Sequence, residues 1–245
     1  MGKGEIHYYK WQLKNFAVII GGNEMIPNIV RQLLNEDGKE TKIDYVVIMT
    51  NRDASSLRKK LVSLLEKREA QVVIVYGERT SYDDLKNLRL PYTKNDIFII
   101  GEQLDIEQNG SHHDVKNMEC VQKIAQLLES NGCKKKKTCR VMFEYQSTFS
   151  VFQFANICEN IFKVIDFKPF NYYETWVQKV LVHQTLSPSN LDDYLPLEGL
   201  KPITAECDDT VHLIIIGKSR MGIAMAVEAA HLVHYPNFIK KNKLS

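Results

Sequence analysis

The stretch from Phe16 to Gly22, FAVIIGG, decides the fold of this chain. A short apolar run ends in two glycines, and apolar residues then recur at helical spacing from Ile26 onward. An apolar strand, a glycine turn and an amphipathic helix in this order are typical of a nucleotide-binding βαβ unit, in which the helix N-terminus faces the ligand. We therefore expect a strand over 16–21 and a helix over 25–35.

The same alternation of strand and helix continues along the chain. Further strands are predicted at 45–49, 72–76, 97–101, 139–144 and 161–167. Further helices are predicted after an N-cap at Asp53, at 82–88, at 113–130 behind a polar loop over 103–111, at 149–158 and at 172–183. Short apolar strands joined by helical crossovers require a parallel sheet. Right-handed crossovers then make a doubly wound parallel α/β sheet of the Rossmann type the simplest arrangement.

A second opening of the same kind lies near the end of the sequence. Residues 211–222 read VHLIIIGKSRMG, which predicts a strand over 211–216 and a helix over 221–235. Prolines and glycines interrupt the segment before it. These patterns predict a Rossmann-type domain over 1–183, a linker over 184–209 and the start of a second Rossmann-like lobe over 210–245, with one strand and one helix.

Composition excludes several functional classes. The 245 residues carry a net charge of +2, and the one basic run, 134–137, reads as a solvated loop, so no nucleic-acid partner is expected. The five cysteines are odd in number and have no CxxC spacing, which argues against disulfides and a zinc site and favours the cytoplasm. No apolar run reaches the roughly 18–20 residues of a membrane span, so no direct membrane insertion is expected.

The two glycine turns differ in how well they match a dinucleotide-binding turn, Gly-x-Gly-x-x-Gly. With Gly21 in the first place, Asn23 stands in the second and Ile26 in the third, so two glycines are missing. A side chain in the second place obstructs the pyrophosphate. In the second turn the three places hold Gly217, Ser219 and Gly222. The second turn is therefore the better predicted phosphate site.

The acid that binds ribose in such folds belongs at the end of the second strand. Here Thr50 and Asn51 occupy that place without charge, and Asp53 is better explained as a helix cap. A nucleotide such as NAD or ATP, bound without the usual pyrophosphate and ribose contacts, or no ligand at all, remains open. The candidate ligand-binding residues are Gly21, Gly22, Asn23, Thr50, Asn51, Gly217, Ser219 and Gly222.

Catalytic patterns are scarce, and we predict that the chain is not an enzyme. Neither a nucleophile elbow nor a Walker loop is present. His112 and His113 lack the spacing of a metal site and read as polar residues at the start of a helix. Glu144 ends the fifth predicted strand near the place where a ligand crevice would open; it could meet a ligand or a cation there, but a surface acid is the commoner interpretation.

These same residues resemble a known family. The runs FAVIIGGN from Phe16, VVIM from Val46 and VVIVYG from Val72 resemble the regulator-of-potassium-conductance type of Rossmann domain, closest to its Castor/Pollux branch. GKSRMGIAMA from Gly217 is similar to the Trk-type nucleotide-binding turn. The resemblance implies a cytoplasmic homo-oligomer that senses a nucleotide or ion and gates a potassium pathway, with a membrane channel or transporter subunit as partner.

Two other functions stay open on the sequence. An NAD(P)-dependent Rossmann oxidoreductase would need a bound nicotinamide and an acid–base residue beside it. A purely oligomerising scaffold would need neither. The absence of a recognisable catalytic set favours the ligand-sensing regulatory module over the oxidoreductase.

Overall fold

The structure, a computed structural model, describes residues 15–34, 43–52, 55–65, 71–154, 163–181, 197–198 and 201–237. The chain divides into two compact units after Phe170. The strands are β1 (Phe16–Gly22), β2 (Tyr45–Thr50), β3 (Val72–Tyr76), β4 (Ile97–Glu102), β5 (Lys137–Phe143) and β6 (Ile165–Asn171). The helices are α1 (Ile26–Leu34), α2 (Ser55–Leu65), α3 (Tyr82–Asn87), α4 (Gln103–Ser130), α5 (Gln146–Phe154), α6 (Tyr172–Leu181) and α7 (Arg220–Leu232).

The six strands form one parallel sheet in the order β3-β2-β1-β4-β5-β6. This order confirms the predicted doubly wound α/β sheet, since the chain moves outward from β1 in one direction and then from β4 in the other. β1 lies at the centre, and Ile19 pairs with Ile48 of β2 and with Phe98 of β4. Ala17 to Ile20 are fully buried, as expected for a strand that is covered on both faces.

Helix α4 covers the half of the sheet that contains β4 and β5. Val121, Ile124 and Leu128 recur at helical spacing and are fully buried in the main apolar core. The aromatic rings of Phe143 and Phe152 stack at 5.1 Å between centroids at the β5 end of this core. On the other side of the fold α1 and α2 pack together, so both sheet faces carry helices.

Several predicted boundaries in the first unit were wrong; the helix predicted over 149–158, for example, is Gln146–Phe154. The stretch 103–111 is the start of α4, because polar residues without proline can form a helix and polarity alone does not predict a loop. β5 ends at Phe143, one residue before Glu144. β6 begins at Ile165, four residues later than predicted, and it includes Pro169, which an edge strand tolerates. The predicted cap Asp53 lies outside the described residues.

In the second unit α6 and α7 pack together, with Val177 of α6 and Ala224 of α7 buried. The predicted strand over 211–216 was wrong: these residues form no strand. Ile214 and Ile216 are 82% and 96% exposed. A strand forms only where a neighbouring backbone completes its hydrogen bonds, and apolar composition cannot supply that neighbour. The predicted linker lies largely outside the described residues, so its boundaries stay a prediction.

Candidate functional site

The candidate site lies where β1, β2 and β4 end. Because β1 and β4 are neighbours whose following helices lie on opposite faces of the sheet, their carboxyl ends form the switch point at which ligands bind in open α/β sheets. The predicted residues Gly21, Gly22, Asn23, Thr50 and Asn51 all lie at this edge. The structure therefore brings together the five candidates of the first unit.

Gly21 lets β1 and β4 approach each other closely. It has φ +129°, and a Cβ at this position would lie 2.2 Å from the carbonyl oxygen of Gly101. The strand pairing shifts register between Ile20 and Gly21 at the same point. Gly21 lies within β1, where its lack of a side chain is required by the close approach of β4, and its predicted role in a ligand-binding turn stays a prediction.

Gly22 makes room for a side chain of the chain itself. A Cβ at Gly22 would lie 2.4 Å from both Oε2 of Glu102 and Oγ1 of Thr50. Thr50 donates its hydroxyl hydrogen bond to Glu102 Oε2 at 2.9 Å, and the backbone N–H of Asn51 donates to Glu102 Oε1 at 3.2 Å. The carboxylate of Glu102, from β4, therefore reaches across β1 to the end of β2.

Glu102 is the residue that the sequence prediction missed. Glu102 follows Gly101 at the end of β4. An acidic residue directly after an apolar strand and a glycine was the only sequence signal that could have pointed to it. Glu102 is 5% exposed, and burial raises its pKa, while the hydrogen bonds from Thr50 and Asn51 partly offset that increase. A carboxyl group therefore does lie at the end of β2, where a ribose-binding acid is expected. It comes from β4, however, and it is hydrogen-bonded to Thr50 and Asn51.

Asn23 joins β1 to the next helix and to β4. Its Oδ1 accepts a hydrogen bond from the backbone N–H of Met25 at 2.9 Å, just before α1 begins. Its Nδ2 donates to the carbonyl oxygen of Ile100 at 3.0 Å. The side chain is 6% exposed, so it fills the space that a second glycine would leave open.

Thr50 and Asn51 use their polar atoms inside the protein. Besides its contact with Glu102, Thr50 Oγ1 accepts from the backbone N–H of Arg52 at 3.3 Å. Asn51 Nδ2 donates to Glu78 Oε2 at 2.6 Å, which ties the end of β2 to the loop after β3. Neither residue supplies the free carboxylate that ribose recognition requires.

A cleft opens beside this cluster, on the β2 side. We call it the β1–β2 cleft; it has a volume of about 210 Å³. It is lined by Gly22, Asn23, Glu24, Pro27, Thr50, Arg52, Ser56, Leu57, Lys60 and Gln103. Two of these residues are cations, Arg52 after β2 and Lys60 on α2. The lining can hold an anionic group near α2 by charge and hydrogen bonding.

The second glycine turn forms at the start of α7, within the second unit. Ser219 is the N-cap of α7, and its Oγ accepts from the backbone N–H of Gly222 at 3.1 Å. Gly217 has φ +103°, a conformation that favours glycine. One N–H that a phosphate would use is thus already bound to Ser219, and the phosphate role of this turn stays a prediction.

The histidine pair of the sequence analysis lies in a different setting from the one predicted. Because α4 begins at Gln103, His113 is inside the helix and fully buried. Its Nε2 contacts the carbonyl oxygen of Ile100 at 3.0 Å, and its Nδ1 contacts Asp114 Oδ1 at 3.1 Å. Asp114 also accepts from the backbone N–H of Glu144 at 2.7 Å. His113 and Asp114 therefore anchor α4 to the ends of β4 and β5.

Glu144, predicted as a surface acid, is 2% exposed, so that interpretation was wrong. It directly follows β5, where Asp114 holds its backbone. Among the described residues, no three His, Cys, Asp or Glu side chains are grouped as metal ligands. Within the same part of the chain, no helix combines the length and hydropathy needed to cross a membrane.

Comparison with known proteins does not assign the chain to a family. No family model matches it, and no curated protein matches it. The cleft and the side chains around it are therefore the structural basis on which a ligand can be proposed.

Proposed function

We propose that this chain is a regulatory module that senses a nucleotide in the β1–β2 cleft and carries out no catalysis itself. The observation that carries the proposal is the position of this cleft: it lies at the carboxyl ends of β1 and β2, beside the switch point, and contains Arg52 and Lys60. Two cations and the polar lining suit a phosphate group.

The wider biological role in this proposal follows from the sequence resemblance. The module would be cytoplasmic, would self-associate, and would act with a membrane channel or transporter subunit of the potassium-conductance type. Light scattering on the purified chain, with and without nucleotide, tests the self-association. A monomer at every protein concentration would remove the oligomer from the proposal.

Isothermal titration calorimetry with ATP, ADP, AMP, NAD⁺ and NADH tests the ligand-sensing role. We expect one of these nucleotides to bind, and Lys60→Glu to weaken that binding several-fold, because the substitution replaces an exposed cation of the cleft with a carboxylate. Lys59→Glu is the matched control: Lys59 is its exposed neighbour on α2 and does not line the cleft.

Two outcomes would contradict the proposal. If the titrations show no heat of binding for any of the five nucleotides, the nucleotide-sensing role is wrong. Equal weakening by Lys59→Glu and Lys60→Glu would show that the net charge of α2, and not the cleft, controls the affinity.

A further inference from the structure

We propose that the β1–β2 cleft takes a mononucleotide, such as a nucleoside monophosphate or diphosphate, and excludes dinucleotides. This inference rests on the proposed function and specifies the chemical class of its ligand. A dinucleotide must pass its pyrophosphate over the turn after β1 and extend along the β4 side of the switch point. In this chain two side chains already occupy that path, Asn23 and Glu102.

Asn23 obstructs the path by bridging β1 and β4. Its amide nitrogen reaches the carbonyl oxygen of Ile100 at 3.0 Å and lies 3.8 Å from the sulfur of Met142 on β5. Its amide oxygen takes the N–H of Met25, a donor that could otherwise face a phosphate at the start of α1. The switch point is thus closed on the β4 side by a buried, hydrogen-bonded side chain.

Glu102 obstructs the same path by its chemistry. Its carboxyl group lies directly above Gly22, the place where a pyrophosphate would approach the backbone most closely. In its ionised form the group repels phosphate, and in either form it occupies the volume. Its partners Thr50 and Asn51 hold it there at 2.9 and 3.2 Å.

The cationic groups of the cleft, Arg52 and Lys60, lie beside β2 and α2, and Arg52 is also a charged neighbour of Glu102. The cleft volume of about 210 Å³ is below the roughly 300–1,000 Å³ of pockets that enclose drug-sized ligands, so the cleft is too small to enclose a whole dinucleotide. One phosphate-bearing half of a dinucleotide can therefore bind there, while Asn23 and Glu102 occupy the path that its pyrophosphate would take over the turn after β1.

Calorimetric titration of the full chain with AMP, ADP and NAD⁺ under one buffer condition tests the inference. We expect AMP or ADP to bind at least about tenfold more tightly than NAD⁺. NAD⁺ binding as tightly as AMP and ADP, with sensitivity to Lys60→Glu, would overturn the mononucleotide inference and leave the proposed function standing. Binding of none of the three would overturn the mononucleotide inference, and the proposed function would fall with it only if ATP and NADH also fail to bind.

Glu102→Gln provides a second measurement. The amide is close in size, and the Thr50 hydroxyl can turn to accept from it, so the fold is retained; circular dichroism verifies this. We expect the ratio of NAD⁺ affinity to AMP affinity to rise several-fold, because the negative charge above Gly22 is gone. An unchanged ratio in the folded variant would overturn the assignment of the exclusion to this carboxylate.

Discussion

At the residue scale, the space above Gly22 is filled by Glu102, whose Oε2 would lie 2.4 Å from a Cβ at that position. A glycine after a first strand is commonly interpreted as room for a ligand. Here that space is filled by a carboxylate. Its hydrogen bonds from Thr50 and Asn51 partly offset the cost of burying it. The exposed fraction of Glu102, 5%, makes the ionisation of this group relevant to stability.

Replacement of Glu102 by glutamine should change how stability depends on pH. Burial raises the pKa of Glu102 in the folded state above its ordinary value of 4.5. The stability that this group contributes is therefore fully present below pH 4.5 and is lost as the pH rises through the raised pKa. Urea unfolding at several pH values should show the wild type losing free energy of unfolding relative to Glu102→Gln as the pH increases. A constant difference across these pH values would contradict the assignment.

At the element scale, β4 and α4 are held together by polar side chains under the sheet edge. His113 and Asp114 on α4 reach the backbone at the ends of β4 and β5. Asn117, one turn further along, donates its amide to the carbonyl oxygen of Met142 at 2.9 Å. These contacts satisfy strand-end carbonyl and amide groups that would otherwise be buried without partners.

Gly101→Ala should break this junction. Gly101 has φ +68°, and a Cβ there would lie 2.3 Å from Nε2 of His113. We expect a loss of about 2 kcal/mol or more in the free energy of unfolding, from backbone strain and displacement of the imidazole. Gly132→Ala is the matched control, because Gly132 has φ +65° and no neighbour within 4 Å of a Cβ, so it incurs the backbone cost alone. Equal losses of unfolding free energy in Gly101→Ala and Gly132→Ala, measured by urea unfolding, would show that the His113 side chain moves aside at no energetic cost.

The spacing of apolar residues predicted most elements of this fold, because the burial of one face of a helix, or of a whole strand, imposes that spacing on the sequence. The short apolar run at Val72–Tyr76 predicted a strand, and the structure places β3 there with the predicted bounds, at the edge of the sheet and with Tyr76 exposed. The start of α4 was missed because residues 103–111 are polar, and a helix start depends on where the preceding strand stops. Glu102 was missed because its partner Thr50 is 52 residues away in sequence. No local pattern reveals a contact between β4 and β2 across β1.

At the scale of the whole molecule, the two units differ in how far their isoleucine-rich segments are buried. In the first unit the isoleucines of β1 are fully buried, as the sequence predicted. In the second unit Leu213, Ile214 and Ile216 have a similar composition and stand exposed. The apolar run therefore predicted a strand wrongly, because burial of a strand requires neighbours that its own sequence does not encode.

Replacing Ile214 and Ile216 together by asparagine should leave the chain folded and change its surface. Both side chains are more than four-fifths exposed, at 82% and 96%. We expect the free energy of unfolding to change by less than about 0.5 kcal/mol and the fluorescence of bound bis-ANS to fall. Val115→Asn serves as the control, since Val115 is 64% exposed as a single residue on α4. A large loss of stability in the double variant would mean that these side chains are covered in solution.

The side-chain amide of Asn23, which bridges β1 and β4, can serve as a spectroscopic reporter on the cleft. Both ends of its amide are engaged, with Met25 on one side and Ile100 on the other, and the group is almost wholly shielded from solvent. Its two amide protons should therefore exchange slowly with deuterium and give a resolved side-chain signal in a nitrogen-15 correlation spectrum. Since Asn23 also lines the cleft, the arrival of a ligand can be followed at one atom pair without any label at the ligand.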